Sequence, residues 1–512
     1  MSLSQTDLKN LPATGIDPTE PGKYEVLLQD LQGNILKGHG REHSVHLFVQ
    51  WKPEQISQAK EWIRAFSQNY ITSAQKQSDE AINYKQEGIC GGTFANLYLT
   101  RFGYDALGCQ PPQVDRQKPV FPGSPIDPFM EGMKSEASRK YLSDPEVAAW
   151  EEGFQEDIHA FILIADDNIN ELLQLVNQVT AKLRPVARIL HREDGFVIRN
   201  NAHQAIEHFG FADGVSQPLF LKRDIEKVAP EGFDKWDPRA SLDLVLVKDP
   251  NGKTEDSYGS YLVYRKLEQN VKGFRKNQQQ LAQKLDMDEE LAGALVMGRF
   301  ADGTPVSESD KPTRPITPPL NFNFDEDTAA SKCPFHSHIR KTNPRGDKSR
   351  MTGEVYESLA DERNHRIVRR AISYGENDTN KEPETGSGLL FICFQADLEN
   401  QFNFMQALWS NNTDFVKEGV GPDPVVGQPE GIQKYPKQWG KSETEDYGFK
   451  LWVLMQGGEY FFAPSISFLS NLSWGFVSRQ DAETQRVLKL FLICNLTAIS
   501  FLQVGYVAVQ PN

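Results

Sequence analysis

Three stretches hold residues that could do chemistry. "GFADGVSQP", residues 210–218, sets Asp213 between two glycines, a carboxylate able to move a proton. "KCPFHSHIRKTNPR", residues 332–345, spaces His336 and His338 two apart. Two neutral imidazoles so placed could share a metal, or one could ligate haem iron while the other stands by. "HRIVRRAISYG", residues 365–375, presents Arg366, Arg369 and Arg370, cations that need carboxylate, phosphate or water. Each stretch also has a plain reading. Asp-Gly forms turns, His-x-His occurs on ordinary surfaces, and Phe-Ala-Asp-Gly recurs in "RFADGTPV", residues 299–306.

Something must position these groups. "HSVHLFVQW" alternates Val45, Leu47, Val49 and Trp51 as a half-buried strand does, and "PEQISQAKEWIRAFSQNYI" follows as an amphipathic helix opened by Pro53. "TFANLYLTRFGYDAL" contains another strand, and "DIHAFILIADDNINELLQLVNQVTAKL" runs from strand into helix. The grammar repeats after residue 225. "ASLDLVLVKD" and "GSYLVYRKLEQNVKGF" read as strands, "FRKNQQQLAQKL" as a helix, "GSGLLFICFQADLENQFNFMQALW" as strand then helix, and "GGEYFFAPS" as a last strand. This order predicts an α+β protein of two halves, each a sheet with helices on one side. Residues 1–24, polar and rich in turn formers, read as a flexible lead-in, with halves at 25–225 and 226–472 and an extension at 473–512. The pattern breaks over residues 308–380, a length at which a loop is usually functional or disordered.

Composition narrows the partners. A formal charge of −15 on 512 residues excludes a duplex nucleic-acid binder, which needs a basic face to displace counterions. The five cysteines, Cys90, Cys109, Cys333, Cys393 and Cys494, are odd in number and never in a Cys-x-x-Cys pair, so neither zinc site nor disulfide framework follows. With no apolar leader in the first 24 residues, a reducing cytoplasm is the expected compartment. Residues 490–509, "LFLICNLTAISFLQVGYVAV", are twenty without a charge, preceded by Arg479, Arg486 and Lys489. A tail anchor in a membrane and a buried appendage are both open for them.

Taken together, "LQGNILKGHG", "GFADGVSQP", "CPFHSHIRKTNPR" with "RIVRRAISYG", and "GGEYFFAPS" closely resemble the dye-decolorizing peroxidases, over roughly Leu27 to Leu472. The resemblance implies two ferredoxin-like domains of the dimeric α+β barrel type and one haem b per chain, held mainly by the C-terminal half. Hydrogen peroxide would be the oxidant and aromatic or dye-like compounds the donors. The family's Gly-x-x-Asp-Gly motif falls on Gly210 to Gly214, which makes Asp213 the acid/base. Its haem ligand falls on His338, with His336 a bystander, and its second catalytic group on Arg369. Arg345 resembles a residue meeting a haem propionate, and Asp423 in "GVGPDPVVGQ" a carboxylate behind the ligand, although Asp423 before Pro424 equally suits a turn. Leu389 and Phe391 would wall the haem pocket, or be ordinary core. Trp409 resembles a near-surface tryptophan of some relatives, or packs as any buried indole does. In the second copy Arg299 stands where the motif requires glycine, so Asp302 reads as a turn former. Asp194 in "HREDGFVIRN" fails in the same way.

The chemistry asks for these types. A carboxylate can carry peroxide's proton from the inner oxygen to the outer one, and an arginine can steady charge on the leaving oxygen, leaving an oxidised haem. Aspartate's ordinary pKa of about 3.9 implies an acidic optimum. Two alternatives stand beside this reading: a haem carrier for storage, sensing or iron handling, which needs no Asp213 and Arg369 pair, and a non-haem metal protein using His336 and His338. Oligomeric state is left open.

Overall fold

The computed structural model describes residues 2–228, 232–315, 317–352 and 358–472. In the N-terminal half, strands β1 (His43–Trp51), β2 (Phe94–Leu99), β3 (Ala160–Asp166) and β4 (Ala187–Phe196) pair in the order β2-β3-β1-β4. Helices α1 (Ile56–Tyr70) and α2 (Ile169–Leu183) supply the crossovers. The C-terminal half repeats this plan with β5 (Tyr258–Gln269), β6 (Ile372–Tyr374), β7 (Gly388–Gln395) and β8 (Val453–Ala463), ordered β8-β5-β7-β6. Helix α3 (Val271–Leu285) follows β5. Both orders are those of a ferredoxin-like sheet, so the fold is α+β of the type the sequence pattern predicts.

The halves do not remain separate sheets. The pair Phe462↔Leu99 joins β8 to β2, and Ser373↔Phe196 joins β6 to β4, closing eight strands into one barrel. Closure removes the open edges that two isolated sheets would present. The barrel is filled by aromatic side chains, with Phe48 4.8 Å from Tyr264 and 5.1 Å from Phe161 between ring centroids. At its partly open end His191 and Lys266 lie between the carboxylates of Glu151 and Glu193.

Two expectations need correcting. Residues 2–24 are docked: Leu3, Leu8, Ile16 and Tyr24 are buried, and the Leu3 amide donates to Asp256. Four spaced apolar anchors among polar neighbours hold the segment down. "ASLDLVLVKD" is a strand only at Val247–Lys248, because beyond Tyr258 and Gly259 it has no ladder to join, and Leu242–Leu244 form a helical turn instead. The anchor reading of residues 490–509 lies outside the described residues, and no described helix is long and apolar enough to cross a membrane.

Candidate active site

The structure brings Asp213, His338, Arg345, Arg369, Leu389 and Phe391 onto one cavity of about 230 Å³. Its floor is the outer face of the C-terminal sheet. Leu389 and Phe391 alternate with the buried Leu390 and Ile392, and their cross-strand partners Leu267 and Arg265 line the cavity beside them. Period-two alternation thus gives the barrel one set of side chains and the cavity the other.

Asp213 stands on a loop from the N-terminal half. Gly210 has φ +94°, a backbone conformation that favours glycine; a Cβ there would lie 2.6 Å from the Arg275 guanidinium, a mobile side-chain end that could move aside. One Asp213 oxygen accepts the Gly214 amide at 2.6 Å and lies 3.9 Å from Arg369 Nη1. The other oxygen accepts no hydrogen bond among the described residues. The same loop fixes the arginine. Arg369 donates Nη2–H to the Val215 carbonyl at 2.7 Å, and its amide donates to Gln217 Oε1 at 2.9 Å.

On the same cavity His338 donates Nδ1–H to Asp423 Oδ2 at 2.9 Å. Asp423 is buried and also accepts the amides of Val425 at 2.8 Å and Val426 at 3.2 Å. Burial by itself would raise its carboxyl. The His338 imidazole, these amides and the nearby Lys341 charge outweigh burial and hold it below the usual carboxylate range. An ionised Asp423 can only accept, so the His338 proton sits on Nδ1 and the Nε2 lone pair is left for a ligand. His336 lies elsewhere, buried with its ring 4.4 Å from that of Tyr435, and burial pushes it down to about 3. Trp409 is buried too.

Arginines dominate the remaining wall. Arg345 and Arg299 both donate to Ser216 Oγ, at 2.9 and 3.1 Å, and Arg366 and Arg369 stand beside them on the cavity. Among the described residues none of Arg299, Arg345 and Arg366 has a carboxylate within ion-pair distance. Their donors go to carbonyls such as Leu320 at 2.7 Å and Pro319 at 2.9 Å. Burial and neighbouring guanidinium charge push Arg299 and Arg366 down to about 9, and lower Arg345 as well. Guanidinium does not give up its proton in proteins, so an anion is what relieves this cluster. An apolar floor, an imidazole with a free lone pair and a cluster of uncompensated arginines fit haem, a planar apolar iron chelate with two carboxylates.

Arg299, also on the cavity, stands in a segment that fails the Gly-x-x-Asp-Gly pattern and so carried no sign of its role. The second copy is structural. Asp302 accepts the amides of Thr304 at 2.9 Å and Arg314 at 2.7 Å, as a turn former does, and the Ala212 amide donates to the Ala301 carbonyl at 2.9 Å. The two Phe-Ala-Asp-Gly segments therefore brace each other, and the repeat was the available signal. Glu207 and Arg265, also on the cavity, carried no local signal.

Fold and cavity together define a class, and comparison with known proteins agrees. Residues 205–420 match the family model "Dyp-type peroxidase, C-terminal". The chain is 37% identical to the multifunctional dye peroxidase DyP2 of Amycolatopsis sp., over 88% of this chain and 97% of that one. It is also similar to the crystal structure of a DyP-type peroxidase from Anabaena sp., at 61% identity and TM-score 0.88, covering 92% of this chain and all of that one. A solved structure of the Amycolatopsis enzyme gives a TM-score of 0.80 at 35% identity, over 89% and 98% of the two chains. The chain belongs to the Dyp-type peroxidase family and is a dye-decolorizing peroxidase.

Proposed function

We propose that this peroxidase holds one haem b in the cavity, with His338 Nε2 on the iron, Arg345 and its neighbours on the propionates, and Leu389 and Phe391 on the ring. Bound there, haem supplies the redox centre that takes two oxidising equivalents from hydrogen peroxide and passes them to a donor. The carrying observation is that one cavity is lined by Asp213, Arg369 and His338, with Asp213 3.9 Å from Arg369 Nη1. Asp213, with one oxygen free, accepts a proton from the inner peroxide oxygen and returns it to the outer one. Arg369, held by Val215 and Gln217, meets the negative charge that builds on that oxygen. Asp423 keeps the His338 proton on Nδ1.

The donors we propose are dyes and phenols, in keeping with the dye peroxidase of Amycolatopsis. We also read two ferredoxin-like domains, at 25–225 and 226–472, with a separate extension after them. The four described cysteines are free thiols, which supports a reducing cytoplasm.

The test is rapid mixing of purified protein with one equivalent of peroxide, followed by absorption. Asp213→Asn should keep the Soret band and slow the reaction by about 10² to 10⁴. Asp302→Asn, in the turn-forming copy, should react as wild type does. A wild-type rate in Asp213→Asn removes the acid/base role.

A further inference from the structure

Among the described residues the Asp213 carboxylate accepts a hydrogen bond only from the Gly214 amide, with Arg369 Nη1 at 3.9 Å, yet a proton shuttle must be held to a fraction of an ångström. The structure supplies the tether six residues upstream. The Glu207 carboxylate accepts the Phe209 amide at 2.8 Å through Oε2 and the Phe211 amide at 2.9 Å through Oε1. Its backbone closes the same loop, with Gly210 N–H donating to the Glu207 carbonyl at 2.8 Å and Glu207 N–H to the Phe211 carbonyl at 3.1 Å. A third donor, Gln269 Nε2, reaches Oε2 at 2.6 Å from the last residue of β5. Phe209 and Phe211, whose amides the carboxylate holds, are buried against Phe274 of α3, with Phe209 stacked at 4.0 Å.

We infer that Glu207 is a positioning residue, a carboxylate clamp that fixes the Gly210–Gly214 turn to the C-terminal half of the barrel and so sets where Asp213 stands over the cavity. The inference rests on the acid/base reading of Asp213. Its logic is geometric: Asp213 belongs to a segment contributed by the N-terminal half, whereas His338 and the cavity floor belong to the other half. The Glu207–Gln269 bond crosses between them. An amide cannot replace the carboxylate here. Both Glu207 oxygens accept backbone N–H groups, so the NH₂ of a glutamine would face one donor with another. Glu207 also lines the cavity, so a direct proton-transfer role is the competing explanation, and the experiment must separate the two.

Two variants of the holoenzyme suffice, Glu207→Gln and Gln269→Leu, read by amide hydrogen exchange over residues 207–213 and by the rate with peroxide. Clamping predicts at least about tenfold faster exchange in that segment for Glu207→Gln, a peroxide rate down about tenfold, and an unchanged Soret band. Gln269→Leu leaves the Glu207 carboxylate in place yet frees it from β5, and should show both effects to a smaller extent. It also keeps the test open if Glu207→Gln fails to fold. Wild-type exchange in either variant overturns the clamp. A slow Glu207→Gln beside a Gln269→Leu of wild-type rate and exchange overturns it too, in favour of direct proton transfer. The Asp213 reading is judged separately. If Asp213→Asn reacts at the wild-type rate while the exchange results hold, that reading fails and the clamp stands only as loop architecture.

Discussion

Replacing Asp423 by asparagine changes one buried atom and should invert the imidazole it holds. Oδ1 of Asp423 takes two backbone amides, from Val425 and Val426, so the oxygen of an asparagine stays on that side. Turning the amide over would set its NH₂ against those two N–H groups, at about 1–3 kcal/mol for each buried donor left unpaired. The asparagine NH₂ therefore faces His338 Nδ1, where the wild-type contact is 2.9 Å. Nδ1 must then accept, the ring proton moves to Nε2, and the lone pair meant for iron is lost or has to be recovered at a cost. Removal of such an outer partner typically weakens metal binding 10- to 100-fold, about 1.4–2.8 kcal/mol. The assay is haem transfer to excess apomyoglobin, with the iron–histidine stretch recorded by resonance Raman. The variant should lose haem about 10 to 100 times faster, with the stretch at lower frequency because the imidazole is a weaker donor. Haem loss and stretch both equal to wild type would refute the tautomer argument.

His338→Ala should lose histidine ligation and most bound haem, whereas His336→Ala should keep both, because His336 packs on Tyr435 away from the cavity; absorption spectra of the two purified variants decide it. His191 makes a prediction about stability. Burial would lower it, but the Glu151 and Glu193 carboxylates outweigh burial and raise it to about 9. A raised basic group stabilises fully below its ordinary pKa, near 6.5, and the benefit is lost as pH climbs through about 9. The shift corresponds to about 3 kcal/mol, reduced to about 1–2 because the site is partly open and Lys266 shares both carboxylates. His191→Gln should therefore melt well below wild type at pH 6 and close to it at pH 10; a gap that does not narrow with pH would refute this.

What the sequence revealed was whatever is written locally. Gly210, Asp213, His338 and Arg369 sit in short stretches whose spacing carries meaning, and the strand-to-helix rhythm of each half can be followed by eye. Barrel closure could not be read, because each seam between the halves rests on one residue pair, Phe462 with Leu99 and Ser373 with Phe196. The co-occurrence of "LQGNILKGHG" with "RRAISYG" acquires a cause only in three dimensions, where Arg370 donates to the carbonyls of Asn34 at 2.7 Å and Ile35 at 3.0 Å. Arg299 and Glu207 were invisible for the same reason. A guanidinium or a carboxylate gains its meaning from partners tens to hundreds of residues away, as Arg299 does from Ser216 and Glu207 from Gln269.

The arginines around Ser216 also act on the whole molecule. Like charges gathered out of water push against the fold that gathers them, and a ligand with two carboxylates turns that push into attraction. The folded chain is thus more stable with its ligand than without it, by an amount that grows with the logarithm of the ligand concentration over its dissociation constant. Before loading, a small anion able to enter the cavity should steady the protein; after loading, the same anion should matter little. In a cell, chains still waiting for a ligand would then open more often and meet proteases first, so an anion-binding cluster of this kind would couple loading to survival.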